Sequence, residues 1–560
     1  MKHNLRTIPF FSDLDDNVLE AISRRLQREH YHKGAAVFLE DEPGDCMYLI
    51  ESGQIKIVSE KASQEKIFNY LGPGNFFGEM AVLLGDRRSA TARVVIDADL
   101  LVLRKNDLDE LLETHPQIAV LMTQELGRRL VRSNTAATVR DEFNIVTILG
   151  TAAPTLARHL AQVTGEDVYI LDLGGLANTT LDPITLQLAH VRLVRGDNIL
   201  DPEGLANRLS KLVEQYYWVF LSVAPYETPL TLKAMELADI TLQIGGKEPN
   251  WLRTTMSKGF WRTEDNDAAL RRTARRICQR LVGIALSSGN ARGMAHIGVL
   301  RVLEEESIPI DMIAGTSAGA IFGAMYAAGR TVDEMIQFSA GVQRQYSFLT
   351  GFRYWDFRLP PRSGLIKGDM VLNYLRKWVK NKSFDQLSIP LYIVATDLVS
   401  GEEIVFDRGP VAEAMRASMS VIGILEPAHV AGRYLIDGGS VNPVPTQLLV
   451  DKGISIILAS NVIPGLEERL HRRELKREGK LPNVVGILMG AMEIMESEII
   501  KSRMGAVDVL IQPDIERYGT MEYDKYGEII KRGEEAAREQ IANIRQRLAP
   551  RPRPPLTATL

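Results

Sequence analysis

The segment IDMIAGTSAGAIFGA, Ile310 to Ala324, constrains the fold of this 560-residue chain more than any other stretch. A short apolar run, a serine between glycines and a run of small residues follow one another without interruption. That order predicts a strand, a sharp turn and a helix. Gly315 and Gly319 let strand and helix approach closely around Ser317, whose strained position exposes its hydroxyl at the top of a sheet. Such a hydroxyl becomes a nucleophile when a base takes its proton and nearby donors hold the developing oxyanion.

No histidine lies close to Ser317 in sequence. Of the nine histidines, His296, His429 and His471 fall in the same region. His471 sits in the charged run LHRRELKREGK and His429 on a loop. His296 follows ARGM inside an amphipathic helix, where a hydrogen-bonded structural histidine is the plainer reading. Asp437, in RYLIDGGSVNPVP, ends a strand and precedes two glycines. An Asp-Gly turn is the bland reading. A carboxylate buried at a strand end has its pKa raised by desolvation, which makes it a better base.

The stretches SSGNARGMAHIGVL, GTSAG and DGGSVNPVP, in that order, resemble the patatin-like phospholipases. SGLIKGD, ATDLVSGEEIVF and RASMSVIGILEP agree, and the resemblance runs from about residue 281 to 545. It implies a Ser317–Asp437 dyad with no histidine, no metal and no catalytic cofactor. It also implies an oxyanion loop at Gly289, Asn290, Ala291, Arg292 and Gly293. The family pattern there is Gly-Gly-Gly-x-Arg-Gly, whereas this chain has Ser288-Gly289-Asn290-Ala291-Arg292-Gly293. Asparagine tolerates left-handed backbone, so the amides of Gly289 and Asn290 remain candidate donors. The Ser288 hydroxyl is a further one.

A second informative stretch is FGEMAVLLGDRRSATAR, Phe77 to Arg93. It joins a glycine, an acid and an arginine in a turn of small residues. A helix start offers backbone amides to an anion, an arginine grips phosphate with two prongs, and a carboxylate accepts a ribose hydroxyl. With IPFFSDLDDNVLEAI and MYLIESGQIKI, it resembles the cyclic-nucleotide-binding domains over roughly residues 5–135. The resemblance gives Arg88 the phosphate and Glu79 the ribose 2′-hydroxyl. Gly78, Met80, Ser89 and Ala90 form the surrounding loop. The regulatory ligand implied is cAMP or cGMP. A β-barrel of this type that binds nothing, serving as an interaction module, is the alternative.

Between these regions, FNIVTILGT, DVYILDLGG, YYWVFLSVAP and DITLQIGG are buried-type strands separated by helical stretches, which predicts a parallel sheet. ILGTAAPTLARHL occupies the place of a nucleotide-binding turn. It lacks the Gly-Lys-Ser/Thr of a phosphate loop, and no lysine occurs between Asp141 and Ser210. The expected architecture is multidomain: a β-roll cyclic-nucleotide-binding domain (1–138), a degenerate P-loop-like α/β spacer (139–278), a patatin-like α/β hydrolase domain (279–548) and a disordered proline-rich tail (549–560). This order resembles the neuropathy target esterase family of lysophospholipases. One nucleotide-binding unit and no N-terminal membrane helix suit a compact bacterial relative.

A net charge of -5 gives no global pull toward nucleic acid. Cys46 and Cys278 cannot build a disulfide framework, so a reducing, cytoplasmic setting fits. No run of about 18 apolar residues is present, so lipid contact must be peripheral. Homo-oligomers stay open. The expected activity is hydrolysis of carboxylic esters of phospholipids or lysophospholipids, with regulation by cyclic nucleotide. A general esterase or acyltransferase and a signalling scaffold with a decayed hydrolase are the alternatives. The aromatic stretch 345–364 is read as a cap over an acyl pocket, as a membrane-facing edge or as core packing.

Overall fold

The computed structural model describes residues 14–59, 66–119, 122, 144–174, 176, 189–195, 202–255, 260–346, 356–357, 363–465, 484–503 and 507–550. His471, the proline-rich tail past 550, most of residues 115–134 and most of the aromatic stretch 345–364 lie outside the described residues. The chain forms two compact units, one of residues 1–274 with 550–560 and one of residues 275–549.

The first unit opens with a six-stranded antiparallel roll: β1 (Gln27–Tyr31), β2 (Ala36–Phe38), β3 (Cys46–Ser59), β4 (Lys66–Leu71), β5 (Phe76–Phe77) and β6 (Thr91–Arg104). Side chains alternate between the two faces of a strand, and both faces of β3 are apolar. Met47 and Leu49 join Leu101 and Leu103 under the helices Asp16–Ser23 and Lys105–Thr114. Cys46, Tyr48 and Ile50 join Leu100 and Val102 in the roll's interior. A short helix, α1 (Glu79–Leu84), follows β5.

A second sheet follows, of β7 (Asn144–Leu149), β8 (Val168–Leu173), β9 (Val191–Arg195), β10 (Trp218–Val223), β11 (Ile240–Ile244) and β12 (Trp261–Thr263). Its order is β12-β11-β7-β10-β8-β9 with every pair parallel, as the continuous apolar runs predict. Roll and parallel sheet are joined. Ile96 of β6 packs into the core of the parallel sheet. The buried Asp97 beside it binds the Lys233 ammonium, and Lys33 reaches the carbonyl of Leu237 and the carboxylate of Asp239.

The second unit is built on β13 (Val282–Leu286), β14 (Met312–Thr316), β15 (Leu391–Asp397), β16 (Glu403–Phe406), β17 (Ala428–Val430), β18 (Arg433–Asp437), β19 (Ile456–Ser460) and β20 (Val509–Ile511). The strand order is β17-β18-β15-β14-β13-β19-β20, with β16 beside β15. β13, β14, β15, β19 and β20 run parallel; β16 and β18 run antiparallel to β15. The helices that concern the site are α2 (Ala295–Glu305), α3 (Ala318–Ala327), α4 (Val411–Ser418), α5 (Val484–Arg503) and α6 (Tyr526–Leu548). α6 packs closely on α2: a side chain on Gly298 would strike the backbone of Ile530, 2.0 Å away.

The strand–turn–helix expected around Ser317 is present as β14 and α3. A Cβ on Gly319 would stand 2.1 Å from the Leu286 carbonyl oxygen. Gly319→Ala is therefore expected to destabilise the second unit by about 1–3 kcal/mol, the usual cost of overpacking. Gly490→Ala, in α5 with nothing near the added carbon, is expected to be neutral or better. Thermal unfolding of the two variants checks this; equal melting of both against wild type contradicts it.

Candidate active site and anion site

β14 ends at Thr316, and Ser317 follows with φ 52° and ψ −112°, a strained backbone for any residue with a side chain. Sheet register brings its partner level with it. Thr316 is opposite Val394 on β15, and the next residue of β15, Ala395, is opposite Asp437 at the end of β18. Ser317 and Asp437 thus flank the small side chain of Ala395 from either side. The Ser317 hydroxyl donates to Asp437 Oδ2 at 2.6 Å, and both residues are buried.

Asp437 Oδ1 accepts the Gly439 amide at 2.8 Å. Burial pushes its pKa up to about 6 from an ordinary 3.8, while the bonds from Ser317 and Gly439 pull it down. An unpaired carboxylate in a dry site holds its proton more tightly than one in water.

Three residues that the sequence did not single out hold this pair. The Ser317 amide donates to Ser418 Oγ at 2.8 Å. The Asp437 amide donates to the Ser420 carbonyl at 3.0 Å. Arg416 is buried, and donates to Ser420 Oγ at 2.6 Å and to the carbonyls of Lys367 and Glu426 at 2.9 and 2.8 Å. The signal was the polar alternation RASMS at the end of α4, inside an otherwise apolar stretch. The histidines stand elsewhere. His296 bridges Ser460 Oγ (2.8 Å) and the Ser287 carbonyl (3.0 Å), and burial lowers its pKa to about 4. His429 is exposed on β17, its ring near Tyr434.

The loop 288–293 runs beside Ser317. Asn290 takes a left-handed φ of 52°, and a Cβ on Gly289 would stand 2.4 Å from Val462. The Ala291 amide donates to the Thr520 carbonyl and the Arg292 amide to the Gly289 carbonyl. Among the described residues the amides of Gly289 and Asn290 have no partner. Gly293 sits against α3, where an added Cβ would meet Ala318 at 2.3 Å. The Ser288 hydroxyl, expected as a further oxyanion donor, is instead spent on Glu496 Oε1 at 2.6 Å. The Arg292 guanidinium is buried and donates to the Tyr518 carbonyl and to Glu493, which anchors the loop, while its Nη2 has no partner among the described residues and the residue shares a small pocket with Ser317 and Asp437.

Ser317 opens on a cavity of about 460 Å³. Its wall is mostly apolar, including Ile321, Phe322, Phe338, Met419 and Leu425. A pocket of this size and lining takes a small apolar ligand or chain.

The cassette at Phe77 forms a separate hollow of about 180 Å³, lined among others by Gly78, Glu79, Met80, Arg88, Ser89 and Ala90. Gly78 caps the start of α1 with φ 80°. Arg88 is 3% exposed and lies 4.1 Å over the Phe38 ring. It donates to the Gly78 carbonyl at 2.9 Å, and its Nε has no partner. No carboxylate pairs with it among the described residues. A buried cation without a counter-charge is costly, and an anion supplied from outside would offset that cost. Glu79 is buried in the same wall. Elsewhere in the roll, ring nitrogens of His30 and His32 and the Asp97 carboxylate fall within 4.8 Å of one another. The Lys233 ammonium already holds that carboxylate.

No described helix is long and apolar enough to cross a membrane. Residues 284–450 match the patatin-like phospholipase family and residues 28–115 the cyclic nucleotide-binding domain. An NTE family protein of Mycobacterium tuberculosis is 26% identical over 96% of both chains. A second from that organism is 40% identical over 178 residues, 32% of this chain and 48% of that one. A lysophospholipase of Mycosarcoma maydis is 22% identical over 93% of this chain and 34% of its own length. The chain thus joins a cyclic nucleotide-binding domain to a patatin-like phospholipase domain, and is similar to NTE family proteins over almost all its length.

Proposed function

We propose that the chain hydrolyses a carboxylic ester of a lysophospholipid or phospholipid through Ser317 and Asp437. The observation that carries this is the 2.6 Å bond to Asp437 from the hydroxyl of Ser317, which lines the apolar cavity. The acyl chain lies in the cavity with its carbonyl at Ser317. Ser317 Oγ attacks the carbonyl carbon while its proton passes to Asp437. The amides of Gly289 and Asn290 hold the oxyanion. On collapse the C–O bond breaks and the proton moves from Asp437 to the leaving alkoxide, leaving an acyl-enzyme. Water, deprotonated by Asp437, then attacks the acyl carbonyl; the bond to Ser317 Oγ breaks, the proton on Asp437 returns to that oxygen, and the fatty acid leaves. The lysophospholipase relative supports the substrate class. A general esterase or acyltransferase would instead act as readily on short acyl esters as on lipids.

Ser317→Ala is expected to abolish hydrolysis, and Asp437→Asn to reduce it a hundredfold or more, about the contribution of a general base. His296→Gln and His429→Gln are expected to retain turnover. Release of fatty acid from a panel of lysophospholipids, phospholipids and short acyl esters measures all four. A histidine variant as inactive as Asp437→Asn overturns the dyad.

Asp437 accepts a proton only when ionised. Hydrolysis is therefore expected to rise with pH through about 6 and level off above it. The raised pKa also means that the folded state favours the protonated carboxyl, so stability from this group is lost as pH climbs through about 6. Asp437→Asn at pH 8 removes a buried charge worth up to about 3 kcal/mol. It is expected to melt no lower than wild type while inactive. A variant that melts several degrees lower contradicts that assignment of cost.

We also propose that Arg88 and Glu79 bind a cyclic nucleotide, cAMP or cGMP, that alters hydrolysis. Arg88→Ala is expected to weaken binding by roughly 2–3 kcal/mol, the loss of a hydrogen bond to a charged group. Glu79→Ala is expected to weaken it less. With a coupling of about 1–3 kcal/mol, nucleotide changes the hydrolysis rate by roughly five- to a hundredfold. Calorimetry with both nucleotides, followed by rates on micelles and bilayers, tests this. No heat with either ligand leaves the roll as an interaction module; binding without a rate change removes the regulation.

A further inference from the structure

The oxyanion loop of this chain departs from three glycines, and the departure has a partner elsewhere in the fold. Ser288 carries a side chain where the patatin-like pattern has none. That side chain donates to Glu496 on α5, 208 residues away. α5 meets the loop a second time one turn earlier, where Glu493 accepts from Arg292 Nη1. Residues three apart share one helix face. On the same side, Met489 and Met492 pack on Val421, which lines the acyl cavity. Glu493, Glu496, Met489 and Met492 thus wall a small pocket together with Gly289, Asn290, Ser317 and Asp437.

Glu496 also borders the base. A Cβ on Gly439 would stand 2.0 Å from Glu496 Oε1 and 3.1 Å from Asp437 Oδ1. Gly439 supplies the amide that Asp437 accepts. One carboxylate therefore touches the residue that precedes the two unpartnered amides and the residue that holds the base.

Building on the dyad reading above, we propose that Glu496 is a positioning residue for the oxyanion loop. Its bond to Ser288 fixes the peptide that leads into Gly289 and aims the amides of Gly289 and Asn290 at the oxyanion. The Ser288 amide is already tied to the Pro443 carbonyl at 2.9 Å. Backbone and side-chain bonds together leave residue 288 little freedom to rotate. A glycine there would need no such partner, and a serine without Glu496 would leave a mobile side chain beside the reacting carbon. The role belongs to the transition state, because the ground-state ester carries less charge on the oxygen that the loop holds.

The test is steady-state hydrolysis of a lysophospholipid by the full-length Glu496→Ala, Glu496→Gln, Ser288→Gly and Ser288→Gly/Glu496→Ala variants, with Ser317→Ala alongside and thermal melting of each. Glu496→Ala is expected to lower kcat at least tenfold with KM within about twofold. This is less than the hundred- to thousandfold loss of an oxyanion donor itself. Glu496→Gln, whose amide oxygen still accepts from Ser288, is expected to recover kcat to within about threefold of wild type. The double variant is expected to lose less than Glu496→Ala alone, because a glycine at 288 needs no partner and the two positions are coupled. Glu496→Ala with kcat within twofold of wild type overturns the proposal, as do equal losses in the Ala and Gln variants. So does a double variant whose loss is the product of the two singles. Wild-type turnover by Ser317→Ala would instead overturn the nucleophile reading and this inference with it.

Discussion

The hydrogen bond from Ser317 to Asp437 depends on the pairing of three strands. β14 and β18 lie on opposite sides of β15, one parallel and one antiparallel to it, and register sets their ends at the same height. A slip of one residue on either strand turns its side chain to the other face. The register is fixed by burial: Ile313 and Ala314 of β14, Ile393 to Ala395 of β15, and Leu435 and Ile436 of β18 are all buried. The core thus specifies the distance between the Ser317 hydroxyl and the Asp437 carboxylate. Around them, Ser418 and Ser420 hold the backbone of Ser317 and of Asp437 from one short segment. Arg416, tied into the carbonyls of Lys367 and Glu426, fixes that segment.

Both candidate sites keep a charge in a dry place with little to balance it. Asp437 has no cationic side chain among the causes that shift it; burial dominates. Arg88 has a carbonyl, a sulfur and an aromatic face but no described carboxylate. Each arrangement opposes folding to a degree. Asp437 is relieved by taking up a proton, as the base proposed above would do. Arg88 would be relieved by an anion, which is what a phosphate supplies. Unbalanced charge of this kind marks function better than the many exposed ion pairs on the surface, such as Arg24 with Glu20, whose worth is small.

The turn at Ser317 was legible because a strained strand-to-helix turn forces local sequence rules. A serine at a strained turn needs small neighbours, so Gly315 and Gly319 appear beside it. The parallel sheet of the first unit was legible from runs such as YYWVFLSVAP, since strands covered on both faces must be apolar throughout. What the sequence hid was contact at long range. Nothing local in ESEII says that Glu496 meets Ser288, and nothing in RASMS says that Ser418 receives the Ser317 amide. Ser288 read as an oxyanion donor for the same reason: a free hydroxyl and a committed one look alike in sequence. The spacer's bond to the roll was also hidden, because Asp97 and Lys233 are separated by 136 residues.

That bond changes the view of what links the cassette to the spacer. Residues 115–134 lead from the roll toward the parallel sheet in sequence, and most of them lie outside the described residues. The described contacts instead run through β6. The strand begins at Thr91, directly after Ser89 and Ala90 of the cassette. Its next turn of side chains places Ile96 in the core of the parallel sheet and Asp97 on Lys233. An extended strand rises about 3.3 Å per residue, so cassette and junction are roughly 20 Å apart along one stiff element. Lys33 adds a second tie: its amide donates to Asp97 and its ammonium reaches Asp239, which in turn accepts the amide of Ile145 at the start of β7. Anything that moves the arginine loop against the roll therefore pulls on the strand that enters the spacer's core. Within this unit the parallel sheet is the body in which that strand is anchored, through Ile96 in its core and Asp97 on Lys233.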